Sequence, residues 1–391
     1  MMVTGRFRLL LAILLFSFLF HPFCAFSSTK IGVAISLTGK YKEPATMVYL
    51  GYKLWETQVN KNGGLLGDKV KLIVYDDESD PEKSASLYNK LITKDKVDLV
   101  LSPYSSSITY SVSEVTEKYC YPLLIAGASD PKIWQRGYRC IFGMYALADR
   151  YFTGFLDIIA EYGFRKVVVI CENDRFPLSA AEGVEKWSDR FGLKVLEKIV
   201  YPKGNPGFIN VVSHIKSLNP EAVVLCAYPD DVYNFMETMR KASYRPAAFA
   251  ATIAPTFKEF GIKLGRYAEG VFGPSQWEAN ARIPYPGTTK FIHDFEKFTN
   301  LTPTYHAASG YAACEILEKA VTQAGSVDRQ KITSEIRHLD TYTVLGRFKV
   351  DQCGVQIGHN PITIQWQKGK REIVWPRKMQ TAKPIFPGRN R

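Results

Sequence analysis

Residues 166–226 read KVVVICENDRFPLSAAEGVEKWSDRFGLKVLEKIVYPKGNPGFINVVSHIKSLNPEAVVLC, and this stretch decides the fold. Its short strands, Lys166–Cys171 and Ala222–Cys226, are apolar throughout once past Lys166. That is the pattern of a parallel strand covered by helices on both faces. Between them lie a helix at 180–191, a strand at 194–201 and a helix at 208–218. The rhythm continues outward, with a helix at 151–162 before it and a helix at 230–242 and strand at 247–251 after it.

An equivalent series precedes it. Strands are expected at 30–36, 70–75, 98–101 and 122–126. A helix at 45–60 stops at Asn62-Gly63-Gly64, and another starts at Ser79-Asp80-Pro81, a cap followed by an N1 proline. A polar turn at 102–107 feeds a further helix to about Tyr119. Two successive β-α series predict an α/β protein of two doubly wound lobes, each with its own parallel sheet. The 391 residues are enough for two cores, and 46% hydrophobic content excludes a disordered chain.

Arg6 and Arg8 precede an apolar run at 9–20, and Ala25-Phe26-Ser27 offers small residues before Ser28. This is the form of a secretory signal peptide over 1–27, cleaved on export, with an uncleaved anchor helix as the alternative. Pro22 and Phe23 before Cys24 do not fit a lipid-anchor signal. The formal charge of +12 includes +2 from the leader and +5 from the last fifteen residues, so the body is only mildly basic. No element clusters bases with aromatics, which excludes nucleic acid as a partner. Residues 377–391 are read as a basic, disordered tail. Six cysteines follow the leader without metal-ligand spacing; no metal or cofactor is expected, and Cys120 with Cys140 is the first choice for a disulfide.

In open parallel sheets a ligand lies beyond the carboxyl ends of the strands, where helix N-termini converge. Ser105 and Ser106 open a helix there, suited both to capping and to holding an acceptor. Ala128, Ser129 and Asp130 follow the fourth strand; Asp130 either caps the next turn or accepts from a ligand ammonium or amide. Phe176 and Tyr228 stand at comparable strand ends of the second lobe, where rings exclude water and cover apolar or cationic groups. Thr252 and Ile253 lie on another such loop. Trp277 sits where the chain crosses back, either packing at the hinge or lining the cleft, and Lys40, Tyr41, Lys42 and Glu43 are placed to rim its mouth. Nucleotide-binding, phosphate-loop and nucleophile-elbow motifs are missing from the sequence, so no catalytic residue is assigned and an enzyme is not expected.

The segments IGVAISLTG (31–39), NKNGGLLG (60–67), VYDDESDP (74–81), VDLVLSPYSS (97–106) and Gly310–Ala313 together resemble the branched-chain amino acid type of periplasmic solute-binding protein of ABC transporters. The resemblance implies a type I periplasmic binding fold with three crossovers, lobe I being 28–147 plus 281–342 and lobe II 148–280 plus 343–376. It implies a monomer that closes on a small-molecule ligand and delivers it to an inner-membrane ABC permease. It also carries the pocket onto Ser105, Ser129, Asp130, Phe176 and Tyr228. Amino-acid-binding members commonly place an acid near the position of Ile253, and its absence here admits amides and small carboxylates as ligands. A sensor on the same fold and a secreted hydrolase are the alternative readings.

Overall fold

A computed structural model describes residues 28–204 and 207–388. The expected leader, 1–27, lies outside the described residues. In lobe I, β1 (Ser28–Ile35) pairs in parallel with β2 (Lys69–Asp76) and β3 (Leu99–Val100), setting Ile31 opposite both Leu72 and Leu99. Helices α1 (Lys42–Lys61), α2 (Pro81–Thr93) and α3 (Ser106–Lys118) alternate with these strands, and β4 (Leu123–Ile125) pairs in parallel with β5 (Ile141–Gly143). Ile31, Val33, Leu99 and Ile125 are wholly buried, as covered strands require.

Lobe II begins with α4 (Thr153–Glu161) and β6 (Lys166–Glu172), then α5 (Arg175–Arg190), β7 (Lys194–Tyr201), α6 (Ile209–Leu218), β8 (Ala222–Cys226), α7 (Pro229–Lys241), β9 (Ala248–Ala251), α8 (Lys258–Leu264) and β10 (Val271–Ser275). The chain then returns to lobe I for α9 (Thr288–Thr299), α10 (Tyr305–Ala324), α11 (Arg329–His338) and a small hairpin of β11 (Thr341–Thr343) and β12 (Gly346–Phe348). It ends in lobe II with β13 (Ile362–Gln367) and β14 (Lys370–Trp375). The lobe II sheet runs β14-β13-β10-β9-β8-β6-β7, parallel from β7 to β10 and antiparallel across β13 and β14. The two main sheets are separate, and the chain passes between lobes three times.

The return is anchored by two glycines. A Cβ on Gly51 of α1 would sit 2.4 Å from the Ala307 carbonyl oxygen, and one on Gly310 of α10 would sit 2.3 Å from that of Val48. Glycine at both points lets the two helix backbones touch, which is the local reason for glycine in the Gly310–Ala313 segment.

Four expectations are corrected. The lobe II sheet is parallel-dominated but mixed, because β13 enters antiparallel to β10 and a tight turn at Lys368-Gly369 sends β14 back beside β13. The third strand spans only two residues, and β5 is additional. The tail is packed as far as residue 388: Phe386 lies against Phe272 and Phe164, with ring centroids 5.7 and 4.9 Å away, and Gln365 bonds the backbone of Ile385 at both N–H and C=O. An apolar anchor thus outweighs the basic composition. Cys120 and Cys140 are unbridged, as are the other cysteines of the described residues. Burial, followed by Glu117 and Cys120, pushes the Cys140 thiol up to about 12.

Candidate functional site

The strand ends of the two lobes meet. At their centre is a small cavity of about 230 Å³. Lobe I presents Tyr104, Ser106, Gly127, Ala128 and Ser129, and lobe II presents Phe176, Tyr228 and Ile253. Tyr145 and Tyr151, near the first crossover, and Tyr305, at the start of α10, close the sides.

The serine wall is built by backbone geometry. Ser105 takes φ 83° and ψ 150°, a conformation otherwise left to glycine, and its Oγ accepts from Ile108 N at 3.2 Å to cap α3. That turn swings Ser106 inward, where its Oγ accepts from the N–H groups of Ser129 and Asp130 at 3.3 and 3.2 Å. Gly127 makes the approach feasible, since a Cβ there would lie 2.8 Å from the Pro103 carbonyl oxygen. The first turn of a 13-residue helix thus faces the cavity with its positive dipole end.

The opposite wall is made of rings. Tyr228 has Tyr41 at 4.6 Å and Phe176 at 5.9 Å between centroids; Phe176 meets Tyr151 at 5.3 Å and Tyr145 meets Tyr305 at 5.4 Å. Burial raises the phenols of Tyr228, Tyr104, Tyr145 and Tyr305 well above their ordinary range and that of Tyr151 to about 12, so all stay protonated donors. Ile253 has φ 58°, an outlier for a β-branched residue, and this turn brings its side chain to the cavity.

Four of the anticipated residues have other work. Ser105 caps the helix and does not reach the lining. Asp130 accepts from Ser179 Oγ at 2.7 Å and Lys132 N at 3.1 Å and pairs with Arg175 at 3.5 Å, which leaves it occupied rather than turned to a ligand. Thr252 Oγ1 bonds both the N–H and the carbonyl of Ala227, tying the β8 and β9 loops together. Trp277 is buried against Phe291 at 5.8 Å, away from the lining. Tyr104, Tyr145, Tyr151 and Tyr305 are the lining residues that sequence reasoning did not place there, while Tyr41, set at the mouth by the sequence, packs on Tyr228. Tyr41 and Tyr104 lie in segments already singled out, whereas Tyr145, Tyr151 and Tyr305 stand outside the inspected strand-end loops.

The mouth is charged. Lys40 of lobe I pairs with Glu172 and stands 3.8 Å from Asp174 of lobe II. Asp174 also accepts from Tyr41 at 2.7 Å and from Ser107, and pairs with Lys203 at 3.0 Å. Burial alone would raise the Asp174 carboxyl, but these partners hold it below the ordinary range; Glu172, more weakly compensated by Lys40, is raised. A larger recess of about 980 Å³, lined by Lys40, Glu172, Tyr228, Asp230, Tyr233 and Lys263 among others, opens here. Among the described residues no group of His, Cys, Asp or Glu is placed to hold a metal ion, and no helix is long and apolar enough to cross a membrane.

Comparison with known proteins agrees with this geometry. A family model described as periplasmic binding protein matches residues 28–371. The leucine-, isoleucine-, valine-, threonine- and alanine-binding protein of Pseudomonas aeruginosa is 24% identical over 348 residues, covering 88% of this chain and 91% of the relative. A leucine-binding protein from Thermotoga maritima superposes with a TM-score of 0.81 at 21% identity, covering 88% of this chain and 97% of its own. An ABC-transporter solute-binding protein from Rhodopseudomonas palustris, solved with benzoate, gives 0.78 at 18% identity, with coverage of 89% and 96%.

Proposed function

This chain belongs to the periplasmic binding protein family, and from that premise we propose that it captures one small organic solute, an amino acid, amide or carboxylate, between its lobes for an ABC importer. The observation that carries the reading is the central cavity itself: serine and backbone groups of one lobe face rings of the other across it. Contacts to a solute from both walls exist together only when the lobes are shut, so the solute shifts the population towards the closed form. The mouth contacts Lys40–Glu172 and Tyr41–Asp174 exist only in that form as well. The permease recognises the closed shape, and the solute leaves chemically unchanged.

In this reading lobe I comprises 28–147 plus 281–348, the third crossover falling after β12 rather than at 342 because Glu315 of α10 holds the hairpin at Val344 N, and lobe II comprises 148–280 plus 349–376. The chain acts as a monomer in the periplasm after loss of residues 1–27. Ser106, Ala128, Ser129, Phe176, Tyr228 and Ile253 touch the solute, while Ser105, Asp130, Thr252 and Trp277 position the loops that do. Native mass spectrometry of the purified protein, incubated with fractions of a bacterial metabolite extract, tests the reading. The expected result is one added mass per chain that is recovered unaltered on denaturation. No added mass from any fraction, or recovery of a cleaved product, contradicts it.

A further inference from the structure

The charges around the cavity narrow the solute further than the family does, and this inference rests on the solute-capture reading. We propose that the central cavity takes a carboxylate bearing an uncharged ring or branched apolar body and no cationic group, rather than an α-amino acid.

Three observations carry it. First, no Asp or Glu lines the cavity. Asp130 and Asp174 are already engaged, by Ser179, Arg175 and Lys132 N in one case and by Ser107, Tyr41 and Lys203 in the other, and Glu172, outside the lining, pairs with Lys40 through Oε1 and leaves only its Oε2 unbonded. A solute ammonium at the centre would be buried without a counter-charge, which is strongly unfavourable. Second, the aromatic faces able to shelter a cation are in use. Lys40 Nζ lies 4.8 Å from the Tyr228 ring centroid and 5.6 Å from that of Tyr41. A second cation on those rings would meet a like charge. Third, a donor is waiting for an acceptor. Tyr145 is 2% exposed, lines the cavity, and its hydroxyl makes no hydrogen bond of normal geometry, although Ser309 is nearby. A buried hydroxyl without a partner is uncommon and points to a group that arrives with the solute. Together with Ser106 and the N-terminus of α3, it favours an anionic end over a cationic one.

The remaining surface suits a ring or branched chain. Phe176, Ile253, Tyr228 and Tyr305 offer apolar faces with nothing charged between them.

Isothermal titration with matched pairs isolates the ammonium as the only variable: phenylpropanoate against phenylalanine, and isocaproate against leucine, with glycine betaine as a cationic control. The expected result is that at least one acid binds tenfold or more tightly than its α-amino partner and than betaine. Equal or tighter binding of the amino acid, or of betaine, overturns the inference while leaving solute capture intact. Failure of both acids, when an extract fraction is captured in the mass-spectrometric screen, overturns the inference alone; failure of acids and extract together removes both. Tyr145→Phe keeps the ring and deletes the hydroxyl. It should weaken the acid five- to tenfold without lowering the melting temperature, and unchanged affinity would remove this donor from recognition.

Discussion

The centre and the mouth of the cleft lie next to each other, are built from the same two lobes, and are opposites electrostatically. The centre has no charged side chain in its lining and keeps its tyrosines protonated by burial. At the mouth, Lys40, Glu172, Asp174, Lys203, Asp230 and Lys263 are packed together, and much of their bonding runs from one lobe to the other. The difference teaches a division of labour. Neutral walls decide which solute is admitted, because any unmatched charge there is costly. Charged contacts that exist only on closure decide how firmly the lobes stay shut, and with Lys40 about a third exposed, though Glu172 and Asp174 are buried, they contribute modestly to affinity.

The largest effect should come from breaking the neutrality of the centre. Ile253→Glu places an anion beside the solute's carboxylate, and acid binding measured by titration should fall by about a thousandfold, in line with several kcal/mol for an unpaired buried charge. The same variant should gain measurable affinity for phenylalanine. Next, Tyr228→Ala removes a ring that is 2% exposed and packs on Tyr41 and Phe176. Loss of such a ring costs about 3 kcal/mol, or roughly a hundredfold in affinity. The mouth gives a smaller change of a different kind. Asp174→Asn removes the charge that Tyr41, Ser107 and Lys203 share, and should weaken every solute about tenfold without altering their order. A changed order of preference would show that the mouth also selects.

The two regions should also answer pH in opposite directions. Burial holds His306, which stacks on Phe257 at the back of the centre, at about 3 against an ordinary 6.5. The unfolded chain therefore takes up a proton that the folded one refuses, and stability falls as pH drops below 6.5 towards 3. Glu43 at the mouth is raised to about 7 by burial, which Lys263 opposes and to which Glu259 and Asp230 add. Its folded form binds the proton more tightly, so it adds stability as pH falls from 7 to the ordinary 4.5. Urea melts of the wild type between pH 7.5 and 5 should show partial cancellation. Glu43→Gln should steepen the acid loss by about one bound proton; an unchanged slope would deny the mouth its titrating role.

Much of the fold was legible in the sequence because parallel strands covered on both faces must be apolar throughout, and VVVIC and AVVLC are. The loops after those strands were legible by the same logic, and Ser106, Ala128, Ser129, Phe176, Tyr228 and Ile253 do line the cavity. What was hidden depends on partners far away along the chain. Asp130 reads as free until Arg175 and Ser179 arrive from the other lobe, 45 and 49 residues on. Tyr145 follows β5, a strand the sequence reading did not include, and Tyr151 and Tyr305 enter from segments where no strand end marks a site. The tail looked solvated because its charge was visible, whereas the aromatic recess that holds Phe386 forms only when α4, β6 and β10 come together.

The central claim is that one solute draws two neutral walls together. Small-angle X-ray scattering, recorded as the purified protein is titrated with the solute found in the extract screen, tests it most directly. The account predicts a decrease in radius of gyration that saturates at one solute per chain and disappears in Tyr228→Ala. A scattering profile that stays unchanged at saturating solute would contradict it.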